Sequence, residues 1–229
     1  MNALAIVVAC GKEEEVRPGT EAAFLSLGNR PVVSHSLDVF QRLDEIDGIV
    51  VVVGKDRTDS MLQLIRRFGY SKICGIVTGS PSRLLSLRTV CSKLPDLASV
   101  VLVHEASRPF LSGSVVAEVV KSAKRNGCAV AGHRLPDAVK LATKGKVDST
   151  LPRQAVWTAG TPQAFKREVF EKLLDPKGKG SAKLVDDESE IVRKPAVVRM
   201  VESGAFNLKI RSVDDLGLAT TYFNAGLVS

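Results

Sequence analysis

The sequence predicts a single α/β domain over residues 1–229, built on a mostly parallel sheet with helices on both faces. Two observations lead to this prediction. Short apolar runs typical of buried strands alternate with longer segments of helical periodicity, which is the pattern of a parallel sheet. The first run, Leu4–Val8, leads into Gly11, and such a strand end faces the ligand-binding edge of an open sheet.

Each strand candidate is an apolar run bounded by polar or turn residues. In chain order the candidates are Leu4–Val8, Gly48–Val53, Lys72–Val77, Val100–His104, Cys128–Gly132, Val139–Leu141 and Ala196–Val201. The helical candidates between them carry apolar residues at helical spacing. They are Val32–Arg42, Asp56–Phe68, Ser82–Leu94, Gly113–Asn126 and Lys166–Leu174.

Residues 135–157 break this alternation. They combine short strand signals with Pro136, Pro152 and a Lys-Gly-Lys turn at 144–146. We expect a β-arm that projects from the core and that serves as an oligomer contact. Further along, Asp175–Lys183 is rich in Gly, Lys and Pro, which predicts a mobile loop.

Composition narrows the class of protein. Hydrophobic residues make up 45% of the chain and charged residues 25%, as in a globular protein, and the absence of a bilayer-length apolar run or signal peptide predicts a cytoplasmic location without membrane partners. The four cysteines lie far apart without a CxxC pair, which favours buried thiols over zinc or disulfides.

The net charge of +7 suits an anionic partner such as a phosphorylated small molecule. The basic residues are spread out and aromatic residues are only 5% of the chain, so no nucleic-acid partner is expected.

The loop after the first strand carries unexpected charges. Glu13, Glu14 and Glu15 follow Gly11 where a phosphate-binding loop would have glycines and a cation. Each carboxylate would repel a nearby triphosphate by roughly 1 kcal/mol or more even at high effective dielectric.

A second polar segment follows the run Val100–His104. Glu105 at the end of a parallel strand can hold a divalent metal ion, and Arg108 can clamp a phosphate with its planar guanidinium. The alternative is a polar strand end whose ion pair is internally satisfied. Both interpretations remain open from this segment alone.

Three further segments have a functional and an ordinary interpretation. Gly79–Ser86 predicts either a helix N-terminus that binds an anion or a nucleotide base, or an ordinary helix cap at Ser80 or Ser82. Asp186-Asp187-Glu188 predicts a solvated helix start or a metal ligand set. Asn207–Ile210 alternates as a strand with Asn207 and Lys209 on one face, although a lone Lys usually faces solvent.

These segments, in this order and spacing, resemble the 2-C-methyl-D-erythritol 4-phosphate cytidylyltransferase family over nearly the whole chain. The most specific pieces are Phe24–Asn29, with Pro31 and His35-Ser36, and Val103–Pro109. Further support comes from Arg83 with Ser86, Thr161-Pro162-Gln163, Asp187-Glu188 and Asn207-Leu208-Lys209. The resemblance implies a Rossmann-like nucleotidyltransferase fold and a homodimer built through the β-arm. It also implies a Mg²⁺-dependent reaction in isoprenoid precursor synthesis. The phosphate of a sugar alcohol attacks the α-phosphate of CTP, giving a CDP-linked product and pyrophosphate.

The resemblance also implies roles for residues at matching positions. Nucleotide-binding roles fall on Ala9, Gly11, Gly79, Arg83, Ser86 and Ala106. Substrate-binding roles fall on Arg108, Asp137, Arg153, Gln163 and Asp187. Glu105 takes the position of a metal ligand, and Lys209 that of a catalytic cation, with Lys12 and Arg17 as candidates to replace missing catalytic cations.

The sequence departs from the family pattern in its triphosphate cradle. Glu13 stands at the family's second loop glycine, Glu15 at its catalytic Arg, Ala22 at its catalytic Lys and Phe206 at an Asp on the metal side. Each lost cation costs roughly 3–4 kcal/mol of transition-state stabilisation. Three hypotheses follow: an active cytidylyltransferase, a catalytically impaired relative with a binding or regulatory role, and a cytidylyltransferase for another polyol phosphate.

Overall fold

The computed structural model describes residues 3–94, 98–175 and 197–227. The fold is a mixed α/β structure around one seven-stranded sheet, as predicted. The sheet strands are β1 (Ala3–Ala9), β6 (Ile46–Val53), β7 (Ile73–Thr78), β8 (Val100–Glu105), β9 (Gly127–Arg134), β12 (Trp157–Lys166) and β13 (Val197–Glu202). Short two-stranded ladders are formed by β2 (Glu15–Arg17), β3 (Thr20–Glu21), β4 (Ser26–Leu27), β5 (Arg30–Pro31), β10 (Val139–Thr143) and β11 (Lys146–Leu151).

The sheet order is β13-β9-β12-β8-β1-β6-β7. All neighbouring pairs are parallel except those that β12 makes with β8 and β9, which are antiparallel. Strand β12 therefore runs against the other six. It begins at the edge of the sheet where the other six strands end.

Within the described residues the α-helices are α1 (Val32–Arg42), α2 (Thr58–Phe68), α3 (Arg83–Cys91), α4 (Gly113–Asn126), α5 (Arg167–Leu174) and α6 (Val213–Asn224). The first five confirm the predicted helices, and α1 and α4 have the predicted bounds. Helix α6 was not predicted. It starts at Ser212, whose hydroxyl accepts a hydrogen bond from the Asp215 backbone N–H at 3.1 Å, as an N-cap does.

Central strand β1 shows why the sheet is covered on both faces. Ala5 and Val7 belong to a buried cluster with apolar residues of α1, α2 and α4. Leu4, Ile6 and Val8 belong to a second cluster with residues of α3 and α5. Because successive strand residues point to opposite faces, a continuous apolar run such as β1 requires helices on both sides.

Strand β12 was not predicted as part of the sheet. Its sequence contains Gly160 and Pro162, which are usually found at strand ends or bulges, and its pairing with β9 is irregular between Ala159 and Gln163. Packing between β8 and β9 keeps this segment extended despite its composition.

The predicted β-arm is present as the hairpin of β10 and β11. Lys144 and Gly145 both have positive φ, 50° and 82°, as required in the two-residue turn that joins twisted strands. Leu141 and Val147 of this hairpin are half-exposed. The arm lies outside the seven-stranded sheet.

One predicted strand is wrong, and other expectations fall outside the described residues. Asn207–Ile210 is irregular, because its backbone crosses the site instead of pairing in the sheet; the Ile210 N–H donates to the Ser107 carbonyl at 2.9 Å. The predicted loop Asp175–Lys183 lies beyond the described residues from position 176, as does Ala196 of the last predicted strand. In the described part of the chain, no helix is both long and apolar enough to cross a bilayer.

Candidate active site

Four chain segments meet at the edge where the parallel strands end. They are the loop after β1, the loop between β7 and α3, the end of β8 with its following turn, and residues 207–209. In the sheet register Val8 lies opposite Glu105, which places the first loop beside the end of β8. In open α/β sheets this edge is the usual ligand site.

Glu105 is the centre of a buried charge cluster. Its Oε1 accepts from Arg83 Nη1 at 2.9 Å and from Lys209 Nζ at 2.6 Å, and its Oε2 accepts from Arg108 Nε at 2.6 Å. Burial alone would raise the pKa of Glu105, but the three cations hold it well below its usual range. Glu105 is therefore ionised and keeps three cationic side chains in place.

Glu14 is the second carboxylate of the cluster. It sits in the turn Lys12–Glu14 and is only 3% exposed, whereas the neighbouring Glu13 is exposed. Its Oε2 accepts from the Ser107 backbone N–H at 3.1 Å, its Oε1 accepts from the Ser107 hydroxyl at 3.2 Å, and Lys209 Nζ lies 3.4 Å from Oε1. Burial first, and then the negative charge of Glu105, raise the pKa of Glu14 to about 7.

Neutral polar groups contact the backbone that carries Glu105 and Arg108. His104 is fully buried, and burial lowers its pKa to about 3, so the ring is neutral. Its Nε2 lies 3.1 Å from both the Ser36 hydroxyl and the Arg108 carbonyl. Thr161 Oγ1 lies 3.3 Å from His104 Nδ1 and accepts from the Glu105 backbone N–H at 3.0 Å. These contacts fix the turn from Glu105 to Arg108.

Arg108 is oriented by a second set of contacts. Its Nη1 donates to the Asn207 carbonyl at 2.8 Å, and Asn207 Nδ2 donates to the Thr161 carbonyl at 2.8 Å. A Cβ on Gly160 would lie 3.0 Å from Arg108 Cζ, so the absence of a side chain there lets the guanidinium lie against the backbone. Arg108 is thereby locked between β8, β12 and the 207–209 segment.

The predicted nucleotide corner packs tightly. The Gly79 N–H donates to the Val53 carbonyl at 2.9 Å, and a Cβ on Gly79 would lie 2.2 Å from Cys10 Sγ. The Ser86 hydroxyl accepts from the Ser80 N–H at 2.9 Å. A Cβ on Gly11, whose φ is 104°, would lie 3.3 Å from the Pro81 carbonyl oxygen. The first loop and the 79–83 loop therefore touch.

Several predicted site residues are placed in this region. Ala9 ends β1 as a buried residue, and the buried Ala106 donates its N–H to the Val8 carbonyl at 2.8 Å. Arg83, Glu105, Arg108 and Lys209 form the cluster itself. The expectation that a lone Lys209 faces solvent is wrong, because it is 7% exposed between two carboxylates.

Two predicted cations of the first loop stay outside the buried cluster. Lys12 and Arg17 are exposed, and the cluster's cations in the described part of the chain are Arg83, Arg108 and Lys209 instead. The role of Lys12 and Arg17 as replacement catalytic cations stays a prediction. Their loop turns Glu14 inward and leaves both basic side chains at the surface.

The four remaining substrate-side predictions have different outcomes. Asp137 and Arg153 are exposed near the base of the arm, where Arg153 Nη1 donates to the Pro136 carbonyl at 3.0 Å. Gln163 is buried within the sheet, opposite Val103 and Val130. Asp187 lies outside the described residues, together with Asp186 and Glu188.

The structure places three of the positions that the resemblance marks as departures from the family pattern. Glu15 is half-buried and accepts from the Gly19 N–H at 3.2 Å. Ala22 is fully buried in a short helical turn. Phe206 is 45% exposed, with its ring edge-on to Tyr222 at a centroid distance of 5.2 Å.

The donor set at Glu105 does not fit a Mg²⁺ ion held by the protein. Mg²⁺ binds carboxylate oxygens that are free to face it, whereas both oxygens of Glu105 accept from cations. Among the described residues, no three His, Cys, Asp or Glu side chains form a metal-binding group. The metal role of Glu105 stays a prediction that this donor set does not favour.

Glu14 and Ser107 are site residues that the sequence did not predict. Glu13, Glu14 and Glu15 form an acidic run, but a one-dimensional pattern does not show which of three consecutive acids turns inward. Ser107 lies in the segment His104–Pro109, where the predicted roles fall on Glu105 and Arg108. Their contact joins residues 93 positions apart, so neither residue alone predicts it.

Comparisons with known proteins give a consistent result. The family model described as "IspD: 2-C-methyl-D-erythritol 4-phosphate cytidylyltransferase" matches residues 3–225. A bifunctional enzyme IspD/IspF of Desulforudis audaxviator is 34% identical over 229 residues, covering 99% of this chain, which spans 58% of that larger protein.

A relative named 2-C-methyl-D-erythritol 4-phosphate cytidylyltransferase from Dehalococcoides mccartyi is 30% identical, with 97% of this chain and 96% of the relative covered. Among solved structures, the 4-diphosphocytidyl-2C-methyl-D-erythritol synthase of Anaerococcus prevotii has a TM-score of 0.83 at 27% identity. The match covers 97% of this chain and 96% of the Anaerococcus chain.

Proposed function

Since the chain belongs to the 2-C-methyl-D-erythritol 4-phosphate cytidylyltransferase family, we propose that it transfers the cytidylyl group of CTP to the phosphate of a sugar alcohol. The observation that supports this proposal most directly is the cluster of Arg83, Arg108 and Lys209 around Glu105. Three oriented cations at the ligand edge of the sheet suit a substrate that is a polyphosphate.

In the proposed reaction, a phosphate oxygen of the sugar-alcohol phosphate attacks the α-phosphorus of CTP. A new phosphorus–oxygen bond forms, the bond to the bridging oxygen of the β-phosphate breaks, and pyrophosphate leaves with that electron pair. The reaction needs little covalent chemistry from the protein. It depends on positioning two anions and stabilising the charge that gathers on the phosphorus oxygens.

The chain's residues divide these tasks by their location. Arg83 begins α3 beside the Gly79 loop, and Lys209 lies next to the first loop, so both can face the phosphates of a bound nucleotide. Glu105 is a positioning residue, because its Oε1 accepts from both side chains and fixes them before substrate arrives. Cations that are already oriented avoid reorganisation during the reaction, which favours catalysis.

A second candidate function is favoured by one observation. Glu14 lies against Lys209 and so uses part of the positive charge that a triphosphate would need. A relative that binds a pyrimidine nucleotide or phosphosugar without turnover is consistent with this contact. Bound ligand would stabilise such a protein against unfolding, but no CDP-linked product would form.

We further propose that the arm formed by β10 and β11 joins two copies of the chain. Leu141 and Val147 are 51% and 54% exposed on a hairpin that lies outside the main sheet. Burying them against a second arm would remove apolar surface from water. Light scattering of the wild type and of Leu141→Ser tests this, because a wild-type monomer would contradict the proposal.

The first test is calorimetric titration with CTP, with and without Mg²⁺, followed by a pyrophosphate-release assay with 2-C-methyl-D-erythritol 4-phosphate or ribitol phosphate. We expect CTP binding and release with one of these acceptors. Arg83→Met should lower the rate by about 10²–10³-fold, as loss of a charge-stabilising donor does, while Arg66→Met on the exposed side of α2 should not. No binding at millimolar CTP would reject the proposal, and binding without release would select the second candidate.

A further inference from the structure

The first loop supplies its own anion to the site. Glu14 is a carboxylate that is 3% exposed, yet it belongs to a surface turn between a strand and a short ladder. The adjacent Glu13 is exposed and Glu15 is half-buried, so the turn places one acid inside the cluster. Burying a carboxylate costs free energy unless other groups replace its hydrogen bonds to water, so the partners of Glu14 must supply them.

The partners of Glu14 form an anion-binding cradle. The Ser107 backbone N–H and hydroxyl donate to its two oxygens at 3.1 Å and 3.2 Å, and Lys209 Nζ lies 3.4 Å away. A backbone amide, a hydroxyl and an ammonium group around one anion are the groups that proteins use to bind phosphate. Nothing in this set is specific to a carboxylate.

The cradle lies within the site and not beside it. Lys209 bridges Glu14 and Glu105, and Glu105 also contacts Arg83 and Arg108. Counting these five side chains as ionised, three cations face two carboxylates. A phosphate group entering here would meet cations whose charge is partly used by Glu14.

We propose that Glu14 is an internal competitor for phosphate, whose carboxylate occupies the cradle of Ser107 and Lys209 until a phosphorylated ligand displaces it. This proposal rests on the proposed function for the identity of the natural ligand, but the cradle can be tested with inorganic anions. Displacement would move the turn outward, because the Gly11 carbonyl accepts from the Glu14 N–H at 2.9 Å and ties Glu14 to the loop.

The test is calorimetric titration of wild type, Glu14→Gln and Glu13→Gln with inorganic pyrophosphate at pH 8. Glu13→Gln is the matched control, because it removes the same charge from an exposed neighbour in the same turn. We expect Glu14→Gln to bind pyrophosphate about tenfold more tightly than wild type or better, since an anion beside an ionised carboxylate is opposed by at least that factor. The control should stay within about twofold of wild type, as expected for a solvated charge.

Equal affinity of folded Glu14→Gln and wild type would overturn the proposal, with circular dichroism and cooperative unfolding showing that the variant is folded. If Glu14→Gln does not fold, amide hydrogen exchange on the wild type decides. Saturating pyrophosphate should speed exchange in residues 11–15, and unchanged or slower exchange there would contradict displacement.

The outcome separates this proposal from the proposed function. If Glu14→Gln binds pyrophosphate more tightly but neither protein transfers a cytidylyl group, the proposal for Glu14 holds and the proposed function is rejected. If the wild type transfers a cytidylyl group but Glu14→Gln has unchanged anion affinity, the proposed function holds and the proposal for Glu14 is overturned.

Discussion

The Nζ atom of Lys209 lies 2.6 Å from Oε1 of Glu105, and both side chains are buried. The same ammonium group lies 3.4 Å from Glu14, so one lysine separates two carboxylates in the interior. Removing Lys209 would take a cation from both buried carboxylates at once, so this position should be sensitive to substitution.

Lys209→Met should destabilise the protein by about 3–5 kcal/mol, as expected when one partner of a buried ion pair is lost. Urea unfolding followed by circular dichroism measures the change. Lys121→Met is the matched control, because Lys121 is 57% exposed and pairs with Glu118 on the surface of α4. The control should cost less than about 1 kcal/mol. Equal losses in the two variants would contradict the buried ion-pair arrangement.

The stability of the wild type should depend on pH through Glu14. Its pKa in the folded protein is about 7 against an ordinary value of 4.5, so folding favours the protonated form. Stability from this group is present below pH 4.5 and is lost as pH rises through 7. The side chain of Glu14→Gln does not titrate, so this pH-dependent loss is absent. Between pH 4.5 and 8 its free energy of unfolding should rise by up to about 3 kcal/mol relative to wild type.

Urea unfolding of the two proteins at pH 5 and pH 8 measures that gain. The lowered pKa of Glu105 affects both proteins and largely cancels in the comparison. A difference between the two proteins that is the same at both pH values would show that Glu14 does not titrate in this range.

Gly79→Ala should destabilise the protein by about 1–3 kcal/mol, because the new Cβ would lie 2.2 Å from Cys10 Sγ and 2.8 Å from Val52 Cγ1. Thermal unfolding checks this loss. In the Cys10→Ala background the cost should be smaller, since the nearest atom is gone, and a double-mutant cycle measures the coupling. Gly217→Ala in α6 is the control: its Cβ meets nothing within 4 Å, and it should be neutral or stabilising.

The cysteines should differ in their reaction with iodoacetamide at pH 8. Cys74 is exposed, whereas Cys10 and Cys128 are buried, and burial raises the pKa of Cys10 to about 11. The thiolate is the reacting form, so Cys74 should be modified first and the two buried thiols only on unfolding. Peptide mass spectrometry over time reads the order. Early labelling of Cys10 would mean that the first loop opens readily.

Much of the fold could be predicted from the sequence, because its strands are apolar on both faces. The short apolar run Leu4–Val8, which leads into the turn residue Gly11, favours a buried strand, and the helical spacing of apolar residues in α4 favours a helix. The missed elements lack such patterns. In β12, Gly160 and Pro162 hide a strand that neighbours on both sides keep extended. In α6, only Ala219 is fully buried, so the helix shows no wide apolar face.

The site was less predictable, for a physical reason. Glu105 and Arg108 stand three residues apart at a strand end, so an ion pair between them was one of two interpretations open from the sequence, and the pair is formed. The position of Glu14 depends on Ser107 and Lys209, which are distant in sequence and reach it only through the fold. The sequence shows that the first loop lacks the expected cations, but it does not show that Glu14 turns into the cluster.

The direction of β12 connects the surface hairpin to the charge cluster. The chain leaves the arm near Arg153, enters β12 at Trp157 and reaches Thr161 four residues later. Thr161 accepts from the Glu105 N–H and from the Asn207 side chain. The strand that returns from the arm therefore supplies acceptors for the backbone of Glu105 and for Asn207, so the surface hairpin and the charge cluster are joined by one short stretch of chain.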